Sequence, residues 1–280
     1  MGKYKLLAID IDGTLIRSDQ TISPRTRTAL IQAQEQGVQV VITTGRPTFG
    51  AAPFADELRL ADFGSHVISF NGSEIYNWKT KERIHSVLLD EDIKPYIYHC
   101  AKQKHFQLVA YIGQNVVAED PNDEYVQFSS TRNKMPIRPV QNFLTETENA
   151  QPKFLIVGDP DPLHELELEM AVHLKGKAEV YRSEPFFLEI VPNGIDKATG
   201  LAVLLSKLNL TKEEIIAFGD GFNDVAMIEY AGLGIAMGNA QQVVKDHADY
   251  ITLSNEQDGI AEAVEKFILG LLECPRLRRI

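Results

Sequence analysis

Short apolar, β-branched runs, each closed by a polar turn and followed by a helical stretch, recur near both ends of this chain. That recurrence restricts the possible folds more than any other feature. Lys5–Ile9, Gln39–Thr43 and His66–Phe70 form one set of runs. Ile215–Phe218 and Leu233–Met237 form a second, with apolar alternation at Tyr250–Leu253. Continuous apolar runs of this length suit strands buried on both faces. Helix signals stand between them. Ser23-Pro24 reads as an N-cap followed by proline at the first helical position, and Gly37 reads as the stop. Ala198–Leu208, Asp224–Tyr230, a stretch from Ala240 and Gln257–Leu269 read as further helices. Strands alternating with helices predict an α/β fold around a parallel sheet.

The middle of the chain, roughly Ser86–Val191, departs from this grammar. It carries a hairpin signal at Leu108–Val117 around Gly113-Gln114, proline-rich turns, and strand runs at Phe154–Val157 and Phe186–Val191. Tyr76 and Trp78 fall in a hairpin that leads into it. The expected organisation is one α/β core made of residues 1–85 and 192–280, interrupted by an α+β domain at 86–191. A length of 280 residues accommodates two domains, since one domain usually takes ~100–150.

Four polar motifs lie in the core segments, each after an apolar strand, and ligands of α/β sheets collect at the carboxyl ends of parallel strands. The first is Asp10-Ile11-Asp12-Gly13-Thr14. Two carboxylates two residues apart share a face of an extended segment, which suits a nucleophile beside an acid/base, or a metal site. An EF-hand loop is excluded by the spacing of its acidic residues. The second is Thr43-Thr44-Gly45-Arg46-Pro47, a strand end leading into a helix, where a hydroxyl and backbone N–H groups can receive an anion. The third is Lys197, just ahead of a helix. A cation there opposes the helix dipole, so an anion nearby would explain it. The fourth is Gly219-Asp220-Gly221-Phe222-Asn223-Asp224, whose hard oxygen donors suit Mg²⁺. Each motif alone could be an ordinary turn or a solvated side chain. Four in this order, each after a buried-type strand, are hard to attribute to turns.

Composition narrows the class of partner. A formal net charge of −11 argues against a duplex nucleic-acid binder, which needs a basic face. No apolar stretch approaches the ~20 residues that span a bilayer, so no membrane partner is expected. The start of the chain shows no signal-peptide pattern. Cys100 and Cys274 stand in no metal-like spacing and fit a reducing compartment, so the expected location is the cytoplasm. Gly232-Leu233-Gly234 and Gly238 have the wrong spacing for a dinucleotide loop. The seven histidines show no ligand spacing. The basic stretch Pro275–Arg279 has no assigned role, and the oligomeric state is unknown from the sequence.

The four motifs together resemble those of the haloacid dehalogenase superfamily: DxDGT, a strand-end Thr, a Lys and GDxxND. Asn71-Gly72 and the run AMIEYAGLGIAMGNA are similar to its Cof-like, type IIB phosphatases, near their sugar-phosphatase branch. Ala198 departs from the Gly that many relatives carry after the Lys. The resemblance implies a Rossmann-like core with an inserted α+β cap that acts as a lid. It implies a phosphatase acting on small-molecule phosphoesters, sugar phosphates first and flavin- or pyridoxal-type phosphates as alternatives. By the same resemblance Asp10 is the nucleophile and Asp12 the acid/base. Ile11 (through its backbone), Thr44, Gly45, Lys197 and Asn223 hold the phosphoryl oxygens. Mg²⁺ is held by Asp10, the Asp12 carbonyl and Asp220. Asp224 orients the metal's water shell or Lys197, and Arg46 and Asn71 face the cap or substrate. A phosphomutase would use the same Asp pair, and a non-catalytic phosphate-binding regulator is the alternative outside enzymes.

Overall fold

The computed structural model describes residues 2–147 and 151–271; Cys274 and the basic stretch Pro275–Arg279 lie outside them. The chain runs β1 (Leu6–Ile9), a tight turn at Ile11–Leu15, α1 (Pro24–Glu35), β2 (Gln39–Thr43), α2 (Thr48–Glu57), β3 (His66–Ser69), β4 (Glu74–Asn77) and β5 (Glu82–Ser86). It continues through α3 (Lys94–Gln103), β6 (Gln107–Ile112), β7 (Asn115–Ala118), α4 (Glu124–Asn133), β8 (Ile137–Pro139), α5 (Phe143–Glu146), β9 (Phe154–Val157), α6 (Pro160–His173), β10 (Ala178–Glu184) and β11 (Phe187–Pro192). It closes with α7 (Lys197–Leu208), β12 (Ile215–Gly219), α8 (Val225–Tyr230), β13 (Leu233–Ala236), α9 (Gln242–Asp246), β14 (Tyr250–Ile251) and α10 (Gly259–Phe267). By their contacts these form two compact units, Met1–Gly45 with Ala51–Ile84 and Asp196–Ile280, and Arg46–Gly50 with His85–Ile195.

The first unit is built on an eight-stranded sheet of order β14-β13-β12-β1-β2-β3-β4-β5. It is parallel from β14 to β3, and β4 returns antiparallel to β3. All four residues of β1 are buried, as a central strand covered on both faces requires. The helix start at Ser23 forms as its sequence predicts. Its Oγ accepts from the Thr26 N–H at 3.0 Å, an arrangement that stabilises a helix by about 1 kcal/mol. Gly37 leaves the helix at φ +87°. Ala29, Leu30 and Ala33, three and four residues apart, are the buried face of α1.

Topology explains where a ligand can bind. From β1 the chain crosses to β2 on one side, and from β12 it crosses to β13 on the other. Right-handed crossovers then put α1 and α8 on opposite faces. Packing agrees: α10 lies against α1, and α7 lies against α8. Between β1 and β12 the strand order therefore reverses, and the carboxyl ends open a crevice there.

Several boundaries differ from the sequence expectation for identifiable reasons. β3 stops at Ser69 because Phe70 and Asn71 take left-handed conformations, φ +51° and +53°. The last helix begins at Gly259, after Asp258 at φ +61°. Ala240 closes a turn onto the Met237 carbonyl, so α9 starts at Gln242. The parallel sheet and α/β class expected from the sequence are the ones observed.

The second unit has its own six-stranded sheet, of order β10-β11-β9-β6-β7-β8. Only β7–β8 pairs parallel. Leu108, Ala110, Phe154, Ile156, Leu188 and Ile190 share a core with Ile97 of α3 and Leu163, Leu166 and Met170 of α6. Their alternation along each strand places these residues on the helix-covered face. Cys100 is a free, buried thiol. Arg46 belongs to this unit by its contacts; its Nη1 donates to the Arg132 carbonyl at 3.0 Å.

Candidate active site

The site forms where β1, β2, β12 and α7 of the first unit end or begin. Asp10 follows β1 and is extended, and its N–H still donates to the Phe218 carbonyl of β12 at 3.2 Å. The chain then coils tightly, with Leu15 and Ile16 donating to the carbonyls of Asp10 and Ile11 at 3.1 Å each. Gly13 makes this possible. Its φ is +75°, and a Cβ there would approach Asp220 Oδ2 to 2.3 Å. Only glycine combines that conformation with that proximity.

Lys197 is the first residue of α7 and is wholly buried. Its Nζ donates to Asp10 Oδ1 at 2.6 Å and to Asp224 Oδ1 at 2.6 Å. These are the anions that the sequence argument asks for beside a cation at a helix N-terminus. The turn of α7 is held separately by Asp196, whose carboxylate accepts from the Thr199 N–H at 2.7 Å while Thr199 Oγ1 accepts from the Asp196 N–H at 2.9 Å. Asp224 does more than balance charge. Its Oδ2 accepts from the N–H groups of Asp220 and Gly221, each at 3.0 Å, which folds the Gly219–Asp224 loop around it.

Asp220 is oriented by Thr14, whose Oγ1 donates to its Oδ1 at 2.8 Å. Oxygens of Asp10, Asp220 and Asp224 lie within 4.8 Å of one another. Both oxygens of Asp224 already accept hydrogen bonds, so Asp10 and Asp220 are the members with capacity left for a cation. The Asp12 carboxylate stands outside this trio and is partly exposed.

A second small cluster borders the first. Asn71 sits in the left-handed turn after β3, and its N–H donates to the Thr44 carbonyl at 2.9 Å. Its Oδ1 accepts from Asn223 Nδ2 at 3.0 Å. Gly45 packs so closely on Asn71 that a Cβ would come within 3.0 Å of Oδ1. Gly72 meets the Asp196 carbonyl in the same way, at 2.1 Å from a built Cβ, which seats α7 on the turn. The structure thus brings Asp10, Thr44, Gly45, Asn71, Lys197, Asp220, Asn223 and Asp224 into one connected network. Two contributors went unnoticed in the sequence. Thr14 hides in the DxDGT motif, and Asn239 in the run ending MGNA donates from Nδ2 to the Gly13 carbonyl at 2.8 Å.

Charge is unbalanced here. Burial is the main cause pushing the Asp10 carboxyl up to about 8, against the pull of Lys197, with Asp224 and Asp12 adding to the rise. Burial also raises Asp220 to about 6, partly opposed by the Thr14 hydrogen bond. Lys197 stays charged, because Asp10 and Asp224 outweigh its own desolvation. A divalent cation fits this donor set: hard oxygens, an excess of negative charge, and two carboxylates whose ionised forms are only partly compensated by Lys197 and Thr14.

Between pH ~4 and ~8 for Asp10, and between ~4 and ~6 for Asp220, the folded chain keeps a proton that the unfolded chain has lost, so stability falls as pH rises through those windows. A cation competes with those protons. Chelated protein should therefore show a lower Tm at pH 8 than at pH 5. Added Mg²⁺ should raise Tm more at pH 8 than at pH 5. Equal Mg²⁺-induced shifts at both pH values would contradict this charge assignment.

Residues 7–264 match the family described as haloacid dehalogenase-like hydrolase. A 5-amino-6-(5-phospho-D-ribitylamino)uracil phosphatase of Bacillus subtilis (strain 168) is 37% identical over 268 residues, covering 95% of this chain and 96% of its own. The crystal structure of a haloacid dehalogenase-like hydrolase from Bacteroides thetaiotaomicron superposes with a TM-score of 0.91 at 50% identity, over 94% of this chain and 99% of that one. A sugar phosphatase of subclass IIB of that superfamily superposes with a TM-score of 0.81 at 25% identity, over 96% of this chain and 100% of its own. No helix among the described residues is long and apolar enough to cross a membrane.

Proposed function

We propose that this chain, which belongs to the haloacid dehalogenase-like hydrolases and is a phosphoric monoester hydrolase, removes phosphate from a sugar or sugar-alcohol phosphate with Asp10 as nucleophile. The observation that carries this reading is the buried Asp10 carboxylate held at 2.6 Å by a fully buried lysine, with a second aspartate two residues on. A carboxylate so fixed is a nucleophile whose approach to a phosphate needs cations to offset repulsion.

In this reading an Asp10 oxygen attacks phosphorus, and the bond from phosphorus to the leaving oxygen breaks. Asp12, protonated, gives its proton to the departing alkoxide. Alkoxides leave poorly, and a positioned acid contributes ~10²–10⁴-fold. Asp12 then takes a proton from a water that attacks phosphorus, which releases phosphate and restores Asp10. The N–H of Ile11, Thr44, Gly45, Lys197 and Asn223 receive the phosphoryl oxygens, and the Asn71–Asn223 bond fixes the asparagine among them. Mg²⁺ would be held by Asp10, the Asp12 carbonyl and Asp220, and when bound it supplies charge against the phosphoryl group. Asp224 acts through Lys197 and the 219–224 loop.

The choice of substrate rests on shared chemistry. One relative is named for a 5-phospho-ribityl compound and another is a sugar phosphatase. A phospho-ribityl compound and a sugar phosphate both carry phosphate on a polyhydroxylated carbon chain. The residues assigned to the reaction lie within 1–85 and 192–280, which leaves the inserted segment 86–191 free to vary the leaving group.

Phosphate release from a panel of phosphomonoesters tests the proposal. Sugar and sugar-alcohol phosphates should lead in kcat/KM. Activity should disappear on exhaustive chelation and return with Mg²⁺, with Ca²⁺ inhibiting because transfer favours tight octahedral geometry. Undiminished activity after chelation would remove the metal. Isomerisation of a sugar phosphate without free phosphate would turn the reading into that of a mutase.

A further inference from the structure

Thr43 and Thr44 look alike in the sequence, and the structure separates them. Thr44 lies past the end of β2; its N–H donates to the Ile68 carbonyl and its carbonyl accepts from Asn71, each at 2.9 Å. Thr43 is the last residue of β2, is wholly buried, and its hydroxyl has no hydrogen-bond partner among the described residues. A buried hydroxyl without a partner forgoes the hydrogen bonds that water would give it, which is destabilising. Valine would keep the shape and the strand preference without that cost.

Register shows what surrounds this hydroxyl. Ile9 pairs with Ile42 on one side and Phe218 on the other, and Thr43 pairs with Ile68. Asp10 continues the strand conformation at φ −70°, ψ 161°. It therefore falls in one row with Thr43, Ile68 and Gly219, and neighbours in such a row point to the same face of the sheet. That face is the one covered by α7. A Cβ on Gly219 would meet Asp224 Cβ at 2.4 Å, and a Cβ on Gly200 of α7 would lie 3.0 Å from Ile68 Cγ2. The Thr43 side chain is thus placed in the row between Asp10 and Ile68, on the face covered by the helix that carries Lys197. The ammonium has three hydrogens. Asp10 and Asp224 take one each.

We infer that Thr43 is a positioning residue for the Lys197–Asp10 pair, its hydroxyl taking an ammonium hydrogen of Lys197 when Asp10 changes from carboxylate to phosphoryl ester. The inference rests on the aspartyl-phosphate reading above. In that step the Asp10–phosphorus bond forms, the bond to the leaving oxygen breaks with its electron pair, and the alkoxide takes the proton of Asp12. Asp10 gives up its charge, and its 2.6 Å contact with the ammonium loses most of its attraction. Asp224 and the Thr43 hydroxyl then keep the ammonium in the row, where it faces the phosphoryl oxygens. The hydroxyl has no hydrogen-bond partner among the described residues beforehand, and nothing covalent happens to it.

Two substitutions separate hydroxyl from packing. Thr43→Val keeps the shape and removes the hydroxyl, whereas Thr43→Ser keeps the hydroxyl and removes a methyl. Thr43→Val should lower kcat about tenfold with KM within about twofold of the parent, since the interaction exists only along the reaction path. Its Tm should equal or exceed the parent's. Thr43→Ser should keep kcat within about twofold of the parent while losing Tm, the reverse pattern. Parental kcat in Thr43→Val, or an equal kcat loss in Thr43→Ser, would overturn the inference. Acid-quench trapping of phosphate on Asp10 in the parent checks the underlying reading by itself. Trapped phosphate with a parental-rate Thr43→Val removes only the role of Thr43. Absence of trapped phosphate removes both.

Discussion

Asp10→Asn is expected to abolish phosphate release while the protein stays folded. An amide cannot form an acyl phosphate that water then resolves, so the covalent route closes, and loss of a nucleophile typically leaves less than about 10⁻³ of parental turnover. Folding should survive, because the amide has the shape of the carboxyl and its oxygen can still accept from Lys197 Nζ, now 2.6 Å from Asp10 Oδ1. Burial already pushes the Asp10 carboxyl up to about 8. Replacing it with a neutral group therefore relieves the chain most where Asp10 is ionised, at and above that pH. Tm of Asp10→Asn should match the parent near pH 5 and exceed it near pH 9 in the absence of metal. Steady-state phosphate release and thermal melts at the two pH values check both halves. Activity above about 1% in a preparation free of contaminating phosphatase would mean that another group attacks phosphorus.

Much of this site is legible in the sequence because its parts are punctuated by strand ends. Leu6–Ile9 can be recognised as buried strand, and Asp10 then falls at a carboxyl end by position alone. Lys197 is legible for a different reason. It stands where the helix dipole repels it, and the structure answers with Asp10 and Asp224 at 2.6 Å. Other parts depend on backbone conformations that residue type does not declare. Asn71 reaches Thr44 and Asn223 only because Phe70 and Asn71 both adopt positive φ, which a strand-like run ending in Phe70 does not announce. Thr14 and Asn239 act through bonds spanning most of the chain, to Asp220 and to Gly13, and no local pattern records such partners. Thr43 and Thr44 are equivalent as letters and differ only through register. Arg46 follows Gly45 directly, yet its guanidinium is bonded to the Arg132 carbonyl, a pairing that depends on tertiary packing.

Lys197→Met should damage turnover and stability together, and the stability loss should depend on pH in a defined direction. The methionine fills a similar volume in a wholly buried position, so packing is largely kept. What disappears is the only cation bonded to Asp10 and Asp224 among the described residues. Breaking a buried ion cluster from one side costs about 3–5 kcal/mol, because the remaining charges stay desolvated. Asp10, which reaches about 8 with the lysine present, rises further without it. A carboxyl raised in the folded state contributes stability at low pH and loses it as pH climbs through the folded value. The Tm gap between parent and variant should accordingly be present already near pH 5, where Asp224 has lost its partner, and widest near pH 9. Turnover should fall about 10²–10³-fold, the usual loss for removing one charged donor from a transferring group. Lys197→Arg should recover little of either property, since a larger, planar guanidinium does not fit a wholly buried space built for an ammonium. A gap that stays constant with pH would show that Lys197 holds α7 by its stem alone. In that case the charge balance among Asp10, Lys197 and Asp224 would not be what fixes Asp10, the proposed nucleophile.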